Sequence, residues 1–177
     1  MSCVFDAKEA LMYSFASIAL CDIALYVKNK KISKKCLMMS AFAAYVVVVV
    51  SFTLLPILIP PMFTEEIQFN LDIGYLFRAL SDRALLIDVA GNVMLFVPIS
   101  ILGYLADINL FKHAKTATIT SFCISLTLEL LQGAETYWGY ADFPAVMDVN
   151  DLITNTIGGL IGYYLIASYC KKEKDPV

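Results

Sequence analysis

The sequence predicts an all-α bundle of five transmembrane helices, with its N-terminus outside and its C-terminus cytoplasmic. Three observations carry that reading. Hydrophobic residues form 59% of the chain and the mean hydropathy is +0.72, above what soluble domains show. Apolar runs recur at about 10–27, 37–59, 84–105, 116–133 and 150–169, each near the ~20 residues that cross ~30 Å of hydrocarbon. The basic residues also collect in alternate connections. At 177 residues one integral-membrane domain over 1–177 is expected, not two.

Run one follows Asp6, Lys8 and Glu9. That is a poor n-region, and no small-x-small site ends the run, so no cleavable signal peptide is expected. Run two, AFAAYVVVVVSFTLLPILI, has no charge and stops at Pro60-Pro61. Its valines fit a helix, because in hydrocarbon a segment must satisfy its own backbone hydrogen bonds. The connection TEEIQFNLDIGYLFRALSDRA follows. Its Ile67, Leu71, Tyr75 and Arg78 have the spacing of a short helix lying in the interface. Runs three and four are joined by a short basic loop. The connection 134–149 carries Tyr137, Trp138, Tyr140 and Phe143 around Gly139, read as an aromatic belt at headgroup level or as a lid over a polar site.

Lys28, Lys30, Lys31, Lys34 and Lys35 lie between runs one and two, Lys112 and Lys115 between three and four, and Lys171, Lys172 and Lys174 after run five. Ten of the 13 basic residues therefore fall on one side, which the positive-inside rule makes cytoplasmic. Cys3, Cys21, Cys36, Cys123 and Cys170 have no metal or redox spacing and read as apolar fillers. His113 sits beside Lys112 and Lys115 in a loop and reads as solvated. No basic patch interleaved with aromatics suggests nucleic acid.

The polar residues inside the runs stand apart. Asp148, Asp151 and Asn155, at the start of MDVNDLITNTIGGLIG, would share one helix face. Gly158, Gly159 and Gly162 leave a bare strip for a close neighbour. Asp88 and Asn92 enter run three from the same side at roughly 6 and 12 Å depth. Glu129 lies about 6 Å from the far end of run four, with Gln132 one turn on. A carboxylate at the negative end of a helix is disfavoured, which argues for a site at Glu129 and against plain interhelical glue. The cytoplasmic half shows no comparable set apart from Asp22. Four acids with only Arg78 and Arg83 nearby leave negative charge over, so the group wants a cation, a shared proton or a basic ligand.

Three motifs carry a resemblance. Asn92-Val-Met-Leu-Phe96-Val-Pro98, Glu129-Leu-Leu-Gln132 and Asp148-Val-Asn-Asp151-Leu-Ile-Thr-Asn155-Thr-Ile-Gly158-Gly159 resemble the ordered motifs of the VanZ-like family over about residues 60–170. The resemblance implies a small polytopic protein of the bacterial cytoplasmic membrane, linked through the family's namesake to lowered susceptibility to teicoplanin. The family usually has an arginine where Ala145 stands and a glycine where Ser100 stands. Losing that arginine leaves the acids less neutralised, unless Arg78 or Arg83 supplies the charge.

The expected function is an outward-facing acidic and amide site formed by Asp88, Asn92, Glu129, Gln132, Asp148, Asp151, Asn155 and Arg78. It would bind or shield an envelope lipid, a lipid-linked cell-wall precursor or a lipoglycopeptide. The alternative is an enzyme in which Glu129, Asp148 and Asp151 perform acid–base chemistry on a phospholipid or polyprenyl-phosphate headgroup. Carboxylates and amides suit Mg²⁺, Mn²⁺ or Ca²⁺, with Glu129 and Asp151 the candidate ligands of such a divalent cation. A transport pathway comes third, because it needs polar groups through the midplane.

Overall fold

In the computed structural model, residues 3–59, 61, 64, 66–142 and 144–174 are described. Helix α1 spans Ala7–Asn29, α2 Lys34–Leu54, α3 Gly74–Arg78, α4 Arg83–Leu105, α5 Ala114–Trp138 and α6 Val149–Lys174. Strands β1 (Cys3–Phe5), β2 (Ile57–Ile59), β3 (Gln68–Asn70) and β4 (Val146–Asp148) lie between them. Side-chain caps set where three helices start. Asp6 accepts from the amides of Lys8 and Glu9, Ser33 from Cys36, and Asp82 from Ala84 and Leu85, each taking up amides that a first turn leaves unpaired.

Four helices, α1, α2, α4 and α5, are long and apolar enough to cross a membrane. The chain is a multi-pass membrane protein. Helix α6 is as long, at 26 residues, but Asn150, Asp151, Thr154, Asn155 and Thr156 make its first turns polar.

Several boundaries differ from those the sequence predicts. Run two ends as a helix at Leu54, because Pro56 offers no amide and forces Leu55 out of the helical region. Leu55 is extended, at φ −112° and ψ 145°. Ile57–Ile59 instead pair antiparallel with β1. The expected helix over Ile67–Arg78 is also corrected: Gln68–Asn70 form β3, and only the five-residue α3 is helical. Glu129 is not at a helix end, since α5 continues to Trp138. Tyr137 and Trp138 therefore belong to its last turn, both exposed. Pro60, Glu65 and Phe143 lie outside the described residues.

The strands collect at one end of the bundle. β1–β2 is one pair, and β3–β4 is a parallel pair with Asn70 opposite Asp148. A bridge from Ile57 to Ala141, with the Leu58 amide donating to Tyr140 at 2.8 Å, ties the two connections together. The lysine-bearing turns lie at the other end. There Asp107, in a left-handed turn at φ 63°, holds Lys112 at 2.9 Å and Lys35 at 3.1 Å. These are called the strand end and the lysine end below.

Helix α6 packs chiefly against α4 and α5. A Cβ on Gly158 would run into the carbonyl of Val93, and one on Gly162 into that of Val97. Gly159 meets Ser121 of α5. The helices touch backbone to backbone because those side chains are absent. Between the two ends, Val49, Phe96, Ile99, Phe111, Ala117 and Leu128 form the apolar core.

Gly158→Val should lower stability by about 1–3 kcal/mol or prevent folding, measured by thermal unfolding in detergent. At the lysine end, Lys112 and Lys35 hold the Asp107 carboxyl below its usual range. A depressed carboxyl adds stability that is complete above its unfolded value and lost as pH falls through the folded one. Acidification should therefore narrow the stability gap between the native chain and Asp107→Asn, and a gap that widens would contradict this.

Candidate functional site

The strand end places most of the predicted polar residues in one layer. Asn92 Nδ2 on α4 donates to Asp151 Oδ1 on α6 at 2.6 Å. Glu129 Oε2 on α5 accepts from the Asp148 amide at 2.9 Å. One turn along α6, Asn155 Nδ2 donates to Ser125 Oγ at 2.9 Å. Glu129 is 5% exposed and Asn155 6%. Hydrogen bonds thus join all three helices at this level.

Asp148 does not share the helix face predicted for it. It ends β4, one residue before α6, and its Oδ1 accepts from the Asn150 amide at 2.7 Å. That bond makes it a cap for an unpaired first-turn amide. Its other oxygen, Oδ2, accepts from Asn70 Nδ2 at 2.8 Å, across the β3–β4 pair.

Sequence reasoning missed Asn150, which is 1% exposed. Its Nδ2 reaches both Asp148 Oδ1 at 2.7 Å and the Asp72 carbonyl at 3.1 Å. Nothing in its spacing from Asp148 separates it from an ordinary surface amide. The helical spacing of Ile67, Leu71, Tyr75 and Arg78 hides Asn70 and Asp72, which lie in β3 and the turn after it.

Three predicted members stand elsewhere. Arg78 pairs with Asp72 at 2.6 Å on an exposed surface, and with Gly74 donating as well, Asp72 stays below the ordinary carboxylate range. Asp88 accepts from the Tyr75 hydroxyl at 2.7 Å, which pushes that phenol up to about 12. Gln132 donates to the Thr53 carbonyl at 2.9 Å, on the flank of α5 that faces the end of α2. That flank holds a cavity of about 170 Å³, lined by Thr53, Pro56, Gln132, Glu135, Asp142 and Ala145 among others. Asp22, near the lysine end, accepts from Ser40 Oγ at 2.7 Å. Among the described residues no three His, Cys, Asp or Glu side chains converge as a metal-ion set.

The layer combines three elements in order: an amide on α4, which carries Pro98 within it, a carboxylate on α5, and the Asp-Asp-Asn-Gly-Gly series that runs from the end of β4 into α6. The VanZ/LLP1 family matches residues 42–170, which contain all of them. This chain belongs to the VanZ/LLP1 family. The matched region runs from α2 to the last turns of α6, so α1 precedes it. No curated protein and no solved structure matches the chain. Within this VanZ/LLP1 chain, the layer ties α4 to α6 through Asn92 and Asp151, and α5 to the end of β4 through Glu129 and the Asp148 amide.

Asn150→Ala should cost about 1 kcal/mol, since it removes a buried donor whose side-chain bonds reach Asp148 and the Asp72 carbonyl. Because Asn150 ties α6 to the Asp72 turn, limited proteolysis between α2 and α4 should quicken at the same time.

Proposed function

We propose that this VanZ/LLP1 chain crosses the bacterial cytoplasmic membrane five times, with the strand end outside. There its acid layer binds the headgroup of an envelope lipid or a lipid-linked cell-wall precursor. The fifth crossing is α6, whose 26 residues extend roughly 39 Å. Its polar start is shielded by α4 and α5 instead of facing lipid. With the lysine end cytoplasmic, the positive-inside rule is met in every connection.

One observation carries the headgroup reading. Glu129, Asp148 and Asp151 gather with three amides at the strand end, while Arg78 is engaged by Asp72. Buried negative charge without a cation is costly, so the layer favours a headgroup bearing an amine. Ala145, where a longer basic side chain would bring its own charge, leaves that role to the ligand. A protein that covers such headgroups would keep teicoplanin-class lipoglycopeptides from the membrane surface, which links the site to lowered susceptibility.

Native mass spectrometry of the purified protein with phosphatidylethanolamine and phosphatidylglycerol tests the reading. The ethanolamine lipid should be retained, and Asp151→Asn should lose it while Asp22→Asn keeps it. Equal retention of both lipids by all three proteins would contradict it. In a susceptible host, the same two variants should separate the same way in teicoplanin inhibition assays.

A further inference from the structure

A polar cavity and an apolar groove share one seam of the bundle, between α2 and α5. The cavity, of about 170 Å³, is lined by Thr53, Leu54, Gln132, Glu135, Asp142 and Ala145 among others. The groove, of about 540 Å³, is lined by Val50 on α2 and by Ile119, Cys123, Leu128 and Leu131 on α5 among others. The two are stacked. Val50, Thr53 and Leu54 follow one another at helical spacing, and so do Leu128, Leu131, Gln132 and Glu135. One turn of each helix separates space lined by hydrocarbon from space lined by carboxylates.

The cavity is rich in acceptors. Glu135 is half-buried and Asp142 is exposed at the rim. Among the described residues, no ion pair reaches either carboxylate, and the lining holds no Lys, Arg or His. Two donors of the lining are already engaged. Gln132 Nε2 donates to the Thr53 carbonyl and the Ala145 amide to Thr136 Oγ1, each at 2.9 Å. The end of α2 adds carbonyls without helical partners and the negative pole of its dipole. Carboxylates beside apolar space are costly unless a cation meets them.

The groove is apolar in chemistry as well as in lining. Its Thr127 hydroxyl turns back onto the Cys123 carbonyl at 2.8 Å. Ile119 and Leu131 are exposed, so the groove faces lipid. From Ile119 to Leu131 is roughly 18 Å along α5, close to the ~15 Å depth of one leaflet of hydrocarbon.

We propose that this seam binds a cationic amphiphile, with one alkyl chain along the groove and an ammonium head in the cavity at Glu135 and Asp142. A phosphate in the head would meet carboxylates and no described cation, so the seam selects an amine without one. An inorganic cation would satisfy the cavity and make no use of the groove. The seam shares no residue with the layer of Asn92, Glu129, Asp148 and Asp151, and it acts whatever headgroup that layer takes.

The full chain in phosphatidylcholine nanodiscs, irradiated with tetradecylamine that carries a mid-chain diazirine, tests this. Peptide mapping should place the adducts on Ile119–Leu131. The matched alcohol should label that segment at least about tenfold less, the factor that one strong ion pair confers. Glu135→Gln/Asp142→Asn should bring amine labelling down to the level of the alcohol. So should Ala145→Lys, which puts the chain's own ammonium in the cavity. Asp22→Asn, at the contact of α1 with α2, should keep the native labelling. Equal labelling of the native chain by amine and alcohol would overturn the proposal. So would undiminished amine labelling in a cavity variant, or an equal loss in Asp22→Asn. If a cavity variant fails to fold, the comparison of amine with alcohol on the native chain decides alone.

Discussion

Everything at the strand end depends on how closely α6 lies against α4 and α5. Gly158 and Gly162 meet backbone carbonyls of α4, and Gly159 meets a serine of α5. Larger residues would hold the helices apart by the width of a side chain. Short amides could not then span the gaps, and Asn92 would not reach Asp151. The glycines thus convert a sequence motif into a polar junction of three helices. In hydrocarbon, where water offers no alternative partner, such a junction forms only if the helices touch.

The connections at that end hold the junction from above. β3 and β4 bring Asn70 beside Asp148, and Asn150 joins both to the Asp72 turn. Two segments far apart in sequence become one cover over the start of α6. The ring Asp148–Asn150–Asp72 fixes where α6 begins, and so which of its faces carries Asp151 inward. At the opposite end, Asp107 bridging Lys35 and Lys112 links α2 to the turn between α4 and α5.

Much of this could be read from residues alone. The apolar runs and the alternation of lysines reveal the long helices, and Asn92, Glu129 and Asp151 stand out because polar groups in apolar runs are costly. The glycines announce a close neighbour without saying which helix supplies it. The short strands left little trace, since three-residue pairs depend on a partner distant in sequence. Pro56 did mark the end of α2, yet the apolar Ile57–Ile59 continued the run and hid it. Spacing puts Gln132 in the layer and the need for positive charge puts Arg78 there, but their directions are set by Thr53 and Asp72, which no periodicity reveals.

The central claim is that Glu129 and Asp151 belong to one coupled acidic layer, not to two separate helix contacts. A double-mutant cycle with Glu129→Gln and Asp151→Asn, read by thermal unfolding of the solubilised protein, tests it most directly. Charges that share a partly dry layer should make the double variant differ from the sum of the singles by more than ~0.5 kcal/mol. Effects that add within that margin would show the two carboxylates to be independent and would contradict the account.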